Sequence, residues 1–405
     1  MKRIILIVLI LMTSLTAGCW DQREINELAL VVASAVDVET KNDKDLVKVT
    51  MQIANPVALV PGGSGGEGAA KAFWTVAGVG QTIRMARANV AGRMPKTSFL
   101  GQSRVYIIGE EAAKKGVAPL LDAPFRTWQV RDSTLLAISE GEAKKILELE
   151  MPTFRATGLA ISTMFQNKIG IDHVMGVTLN DFAYRLSTGT TNPIAPIIRT
   201  VPQSSVTTED LKKGPAPKTI EVKNMAVFDN DGKLLAFLNS QETDGLLWAI
   251  NQGMRRHVVV PCPIEGPDEP LVLVTRRSNC KIKVKLDKQG MPEFVLDIRT
   301  ICDLEEHFGE HPGMLSLQYI NSLERRVNTK IEQDIEAALN RCKQLDADAF
   351  GFGEEVRRQK HEVWSQIKPI WKDVFPQVKV TIKCRTSFRH RGLSIEAPGA
   401  RREGV

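Results

Sequence analysis

The sequence predicts an α+β protein of several domains, with mixed sheets flanked by helices and one long helix in the C-terminal half packed on an antiparallel sheet. Three observations predict it. Alternating apolar and polar stretches recur in pairs around short polar turns, the pattern of β-hairpins. Between them lie segments whose apolar residues recur in steps of three and four, the pattern of one helix face. A polar stretch containing three prolines, Thr200 to Lys218, interrupts both patterns near the middle of the chain.

The elements follow in order. Leu28 to Val38 is apolar enough for a buried strand, Thr40 to Asp45 is a polar turn, and Leu46 to Ala54 alternates, with Val47, Val49, Met51 and Ile53 on one face. Pro61 to Gly68 is a glycine-rich loop without the Gly-Lys-Ser/Thr ending of a phosphate loop, so it carries no nucleotide role. Phe73 to Val76 is a strand, and Gln81 to Met94 is a helix with Ile83, Ala86, Val90 and Met94 on one face. Val105 to Ile108 and Thr134 to Ile138 are short strands, and Glu142 to Leu149 is a helix. Residues 155 to 190 predict two helices broken at Gly170 and Gly176. After the Pro-containing stretch, Ile220 to Phe228 and Leu234 to Leu238 flank Asp229-Asn230-Asp231-Gly232, a turn of residues that tolerate positive φ. Lys281 to Leu286 and Phe294 to Ile298 form a further hairpin around Asp287 to Gly290. A long helix spans Leu315 to Leu345, its stripe Ile320, Leu323, Val327, Ile331, Ile335, Leu339 and Cys342. Val378 to Cys384 is the last strand, followed by a basic tail. The domains are therefore expected at 19–200 and 219–395, joined by a linker at 201–218, with the second divisible into 219–300 and 301–395.

Composition excludes several classes of function. Of 405 residues 43% are apolar, enough for a sizeable core, and the net charge of +6 is spread over scattered basic pairs rather than a dense block. A nucleic-acid footprint would be denser. Five cysteines besides Cys19, at 262, 280, 302, 342 and 384, lack the close spacing of a zinc knuckle or redox pair. They are expected to be small buried hydrophobes. His307 and His311 stand four apart, but Gly309 lies between them and Pro312 ends the run, so a solvated turn is the simpler reading than a metal site. Cys262, between Pro261 and Pro263, has no base coupled to it by sequence, and no nucleophile elbow occurs. The expectation is a protein that is not an enzyme and needs no cofactor or metal.

The first residues predict an address. Lys2 and Arg3 precede an unbroken apolar run, Ile4 to Met12, and then small residues up to Ala17-Gly18-Cys19. This is the layout of a secretory signal, residues 1–18, far short of the ~20 apolar residues a spanning helix needs. A Cys after Ala-Gly matches a bacterial lipobox, in which the thiol takes a diacylglyceryl group and becomes the new N-terminus. Cys19 is thus the expected lipidation site, carrying fatty acyl chains such as palmitate and holding the chain on the outer face of a membrane. Two or three chains at about 0.8 kcal/mol per buried methylene hold a protein firmly.

The run that follows, Cys19-Trp20-Asp21-Gln22-Arg23-Glu24-Ile25-Asn26-Glu27-Leu28, resembles the start of the mature C-subunit lipoproteins of nutrient germinant receptors in endospore-forming bacteria, the Ger(x)C family. Ala226-Val227-Phe228 with Glu242, Gly245, Leu246, Leu247 and Trp248 is similar to a central segment of that family. Asp348-Ala349-Phe350-Gly351-Phe352-Gly353-Glu354 with Trp364 is similar to one near its C-terminus. The resemblance covers nearly the whole chain in order, departing at Thr16 in the lipobox and in the tail beyond Gly392. It implies a non-catalytic subunit anchored to the spore inner membrane, assembled with membrane-embedded A and B subunits and required for nutrient-triggered germination. It also implies that Trp20, Asp21, Arg23, Glu24, Glu242, Gly245, Trp248, Phe350, Gly351, Phe352, Gly353 and Trp364 determine the fold rather than bind a ligand. Two rivals remain. A substrate-binding lipoprotein of a transporter requires two similar hinged lobes, and an extracytoplasmic hydrolase requires a catalytic set.

Overall fold

A computed structural model describes Ile4 and residues 24–55, 71–151, 156–166, 173–203, 218–263, 266–307 and 316–390. The signal segment, Cys19, Trp20, Asp21, Arg23, the Pro61–Gly68 loop, Gly170, His311 and the tail beyond His390 lie outside the described residues, as does 204–217 of the expected linker.

The N-terminal half runs β1 (Leu28–Lys41), β2 (Lys44–Ala54), β3 (Phe73–Gly80), α1 (Ile83–Ala91), β4 (Thr97–Phe99), β5 (Val105–Gly109), α2 (Glu110–Lys115), α3 (Ala118–Arg126), β6 (Leu135–Ser139), α4 (Ala143–Glu148), α5 (Thr157–Gln166), β7 (Val177–Thr178), α6 (Leu179–Thr188) and β8 (Ile194–Pro202). The C-terminal half runs β9 (Lys218–Phe228), β10 (Leu234–Phe237), α7 (Ser240–Ala249), β11 (His257–Cys262), β12 (Gly266–Leu286), β13 (Pro292–His307), α8 (Leu317–Gln344), α9 (Phe352–Gln359), α10 (His361–Ile367), α11 (Trp371–Val374) and β14 (Lys379–His390).

Two sheets result. The larger has ten strands in the order β10-β9-β8-β6-β5-β1-β2-β3, with β4 beside β1 and β7 beside β6. Its centre is parallel: β1, β5, β6 and β8 run the same way. Parallel neighbours need a long crossover, which α2 and α3 supply between β5 and β6, and α4 to α6 between β6 and β8. Of these, β5 and β6 are short and buried on both faces, as Val105, Ile107, Leu136 and Ile138 are. The expected hairpins β1–β2 and β9–β10 form antiparallel at its flanks.

The smaller sheet has the order β11-β12-β13-β14. Its first three strands are antiparallel, but β14 lies parallel to β13 because four helices intervene and return the chain to the same end. The sheet under the long helix is therefore mixed, not wholly antiparallel. That helix, α8, is capped by Ser316, whose side chain accepts from the Tyr319 backbone N–H. Its 28 residues reach about 42 Å. It buries Leu323, Val327, Ile331, Ile335, Leu339 and Cys342, whereas Ile320 is only half-buried and Tyr319 points inward in its place.

Two expected boundaries do not coincide with the sheets. Beyond 201–218 the chain returns to the first sheet, where β9 pairs with β8 from Ile194↔Val227 to Pro202↔Lys218. The segment connects two paired strands of one sheet. The boundary at 300/301 falls inside β13, whose ladder with β12 continues through Thr300 and Ile301. Among the described residues no helix is long and apolar enough to cross a membrane.

Candidate functional site

Two of the motif segments lie where the two halves meet. Glu242 stands at the third position of α7 and completes a capping box with Asn239: the Glu242 N–H donates to Asn239 Oδ1 at 2.9 Å, and the Asn239 N–H donates to Glu242 Oε2 at 2.8 Å. This satisfies donors that a helix start otherwise leaves free. Gly245, one turn on, lies against α8, where an added Cβ would sit 1.8 Å from the Asp334 carbonyl oxygen. Trp248 closes the same helix, buried at 2% exposure.

The second motif turns on Asp348, which is not among the motif residues the resemblance marks as fold determinants. Its carboxylate accepts from the backbone N–H groups of Gly351, Phe352 and Gly353, at 2.9, 3.0 and 2.7 Å, and from Trp371 Nε1 at 3.2 Å. Burial pushes its pKa up to about 6, against the pull of those four donors. Gly351 takes φ 82°, a left-handed conformation that glycine adopts freely. At Gly353 a Cβ would meet the Thr190 carbonyl oxygen at 2.6 Å. Phe352 stacks between Phe294 and Phe350 with centroids 4.4 and 5.2 Å away, and Trp364 meets Trp371 edge-on at 5.5 Å.

This turn is clasped to the N-terminal half. The Asn192 N–H donates to the Asp348 carbonyl oxygen, and the Asp348 N–H donates to Asn192 Oδ1, both at 2.8 Å. Arg185 of α6 donates from Nη1 to the carbonyls of Asn192 and Ala349 at 3.3 and 3.2 Å. A second clasp joins His173 to α7: its Nδ1 lies 2.7 Å from Asp244 Oδ2, and Arg256 contacts the other carboxylate oxygen. Burial opposes the Asp244 charge, but His173 and Arg256 together hold its carboxyl below the ordinary range.

Beside these clasps opens a cleft of about 870 Å³, walled by α6, by Ile250 to Gln252 after α7, and by Phe350 and Gly351. Its acidic groups are engaged. Asp181 closes the capping box with Thr178, Glu354 pairs with Arg357 at 2.6 Å, and Glu355 pairs with Arg358 at 2.8 Å. These pairs are local to their own helices; the contacts that join the two halves beside this concave surface are those of Asp348 with Asn192, Arg185 with Ala349, and His173 with Asp244. Among the described residues no group of three or more His, Cys, Asp or Glu could hold a metal ion.

Of the sequence-marked residues, the structure brings Phe350, Gly351, Phe352, Gly353 and Trp364 into one cluster, and Glu242, Gly245 and Trp248 into another. Glu24 is apart from both, exposed before a short turn at Ile25–Glu27. Cys262, Cys280, Cys302 and Cys342 are free and buried, and Cys384 is free and half-buried. Burial pushes the thiols of Cys280, Cys302 and Cys342 up to about 12, so they remain protonated and inert. Sequence reasoning did not single out Asn192, Arg185, Asp244 or Arg256. Asn192 and Asp348 lie 156 residues apart, and no local pattern couples them.

Comparison with known proteins gives the same order of parts. A model described as "Spore germination protein N-terminal domain" matches residues 21–200, and one described as "Spore germination B3/ GerAC like, C-terminal" matches residues 223–392. Among relatives from Bacillus subtilis (strain 168), YfkR is 27% identical over 377 residues, covering 92% of both chains. Spore germination protein KC is 23% identical, covering 97% of this chain and 96% of its own, and spore germination protein YndF is 25% identical, covering 95% and 96%. The crystal structure of the GerBC protein shares the fold, with a TM-score of 0.55 at 17% identity over 91% of this chain and 99% of that one. Matched in both halves, the chain belongs to the GerAC-like family of spore germination proteins, and its role lies in germination.

Proposed function

We propose that this chain is the lipid-anchored, non-catalytic C subunit of a nutrient germinant receptor. It sits on the outer face of the spore inner membrane and works with membrane-embedded A and B subunits. The observation that carries the reading is the match of both halves, in order, to spore germination family models. The signal layout and Cys19 supply the anchor. The unlike sheets, one of ten strands and one of four, do not form the two similar lobes of a transporter-type binding protein.

Replacing Cys19 with Ala should leave unprocessed precursor and abolish incorporation of labelled fatty acid. Deleting the gene should block germination toward one class of nutrient while leaving nutrient-independent triggers effective. Normal germination with every nutrient, after removal of paralogues, would defeat the receptor assignment. Undiminished labelling of the Cys19→Ala chain would defeat the anchor alone.

A further inference from the structure

The smaller sheet has one face against α8 and the aromatic cluster, through Val284, Phe294, Leu296 and Ile298. Residues alternate across a strand, so those between them line the opposite face. The register sets that face out in five rows across β12, β13 and β14: Lys285–Glu293–Lys379, Lys283–Val295–Thr381, Lys281–Asp297–Lys383, Asn279–Arg299–Arg385 and Arg277–Ile301–Ser387. The eight cations in these rows, all exposed, stand against the two carboxylates of Glu293 and Asp297. The strand period therefore gathers eight of the chain's 53 lysines and arginines onto a single surface. No described element covers it.

The two carboxylates do not neutralise it. Asp297 is shared by Arg385 at 2.6 Å and Arg299 at 3.4 Å, and Glu293 meets Lys379 at 3.5 Å. In the upper rows Arg277, Arg299 and Arg385 line a shallow groove of about 590 Å³, with Asn279 and Ser387 as amide and hydroxyl partners. Met254 stands at its rim, 51% exposed. Guanidinium groups with neighbouring hydroxyls suit a phosphate oxygen.

We propose that this open sheet face docks on an anionic lipid surface, the three-arginine groove receiving a headgroup phosphate. The proposal rests on the reading that the chain is tethered to a membrane. Charge complementarity selects the occupant. The cations are spread over a plane, with strands about 4.8 Å apart and successive outward residues about 6.8 Å apart. A plane of charge matches a plane of headgroups, whereas a single polyanionic strand is tracked by a groove. Each lysine or arginine near an anionic leaflet contributes a roughly fivefold gain in partitioning. The lipid tether would hold the chain near the surface, and the sheet face would set its orientation there.

The test uses the mature chain from residue 19, with Cys19→Ser to remove the lipid. Binding is measured by co-sedimentation with vesicles of phosphatidylcholine alone or mixed equally with phosphatidylglycerol. The expected result is binding to the anionic vesicles only, weakening as salt rises. The triple variant K281E/K283E/K383E should lose well over a hundredfold in affinity, since loss of three cations alone costs about a hundredfold. K41E/K44E, at the distant β1–β2 turn, should bind as the parent does. Circular dichroism checks that both variants fold, and K281Q/K283Q/K383Q, with a smaller loss, guards against a folding defect in the charge reversal. Inorganic phosphate should not compete at concentrations that match the ionic strength of an inert salt. Indifference of the parent to phosphatidylglycerol, or unchanged binding by the triple variant, would overturn the proposal. So would retention on a soluble polyanion without any on vesicles, which would assign the face to an acidic macromolecule. Each outcome is independent of lipid labelling at Cys19.

Discussion

Asp348 holds together the turn on which both halves close. Its folded carboxyl keeps a proton more tightly than the ordinary value of 3.8, with a pKa of about 6. A group whose pKa is raised on folding contributes stability that is complete below its unfolded pKa and lost as pH rises through the folded value. For Asp348 that window runs from about 4 to about 6, and the contribution is on the order of 3 kcal/mol. Asp348→Asn replaces one acceptor oxygen with an amide that cannot accept from the Gly353 N–H, which costs about 2 kcal/mol or more. The gap in unfolding free energy between parent and Asp348→Asn should therefore widen from about pH 7 to about pH 4 in denaturant titrations. A gap that narrows instead would mean that the carboxylate form is the one the fold prefers.

At the scale of elements, the contact between α7 and α8 depends on a missing side chain. Gly245→Ala would place a methyl group 1.8 Å from the Asp334 carbonyl oxygen, and backbone cannot yield as a flexible side chain can. The helices must part, at a cost of about 3 kcal/mol. Gly92, at the end of α1, has only Asn89 O at 4.0 Å, so Gly92→Ala should stay within about 0.5 kcal/mol of the parent. Thermal unfolding of the two variants checks the contrast. The sequence revealed the glycine but not its neighbour, because a small residue on a helix does not say what approaches it. Hairpins such as β1–β2 were legible, since alternation and the positive-φ turn at Asn42 and Asp43 are local. The strands β5 and β6 were legible as short apolar runs, but their parallel order was not. β8 was missed, and its Ile194 to Ile198 run is buried without alternation. The span of β12 and β13 also exceeded the alternating cores, because bulges at Val272/Leu273 and Thr275/Arg277 shift the pattern midway.

For the whole molecule, the sheets and the composition break disagree on where one half ends. The matched family segments stop at 200 and resume at 223, where polarity and proline mark a connection, yet the ladder of β8 with β9 crosses that gap. A protease site inserted between residues 204 and 217 should therefore give two fragments that co-elute in size-exclusion chromatography and separate only in denaturant. Fragments that separate in native buffer would show that the ladder and the Asp348–Asn192 clasp do not hold the halves together. The candidate site was legible as a Phe-Gly-Phe-Gly motif, while its partners Arg185 and Asn192 come from a distant stretch whose proximity only the folded chain creates.

The same crossing constrains how the protein is made. A chain synthesised from its N-terminus presents β8 before β9 exists to pair with it. Until residues 218–228 emerge, Ile194, Ile197 and Ile198 form an open edge, a template for pairing with a second chain. Synthesis delivers the polypeptide gradually, so the interval during which that edge lacks its neighbour is set by the rate of elongation across the intervening residues. The length of that connection is thus a kinetic quantity: lengthening it should raise aggregate yield during synthesis without altering the finished molecule.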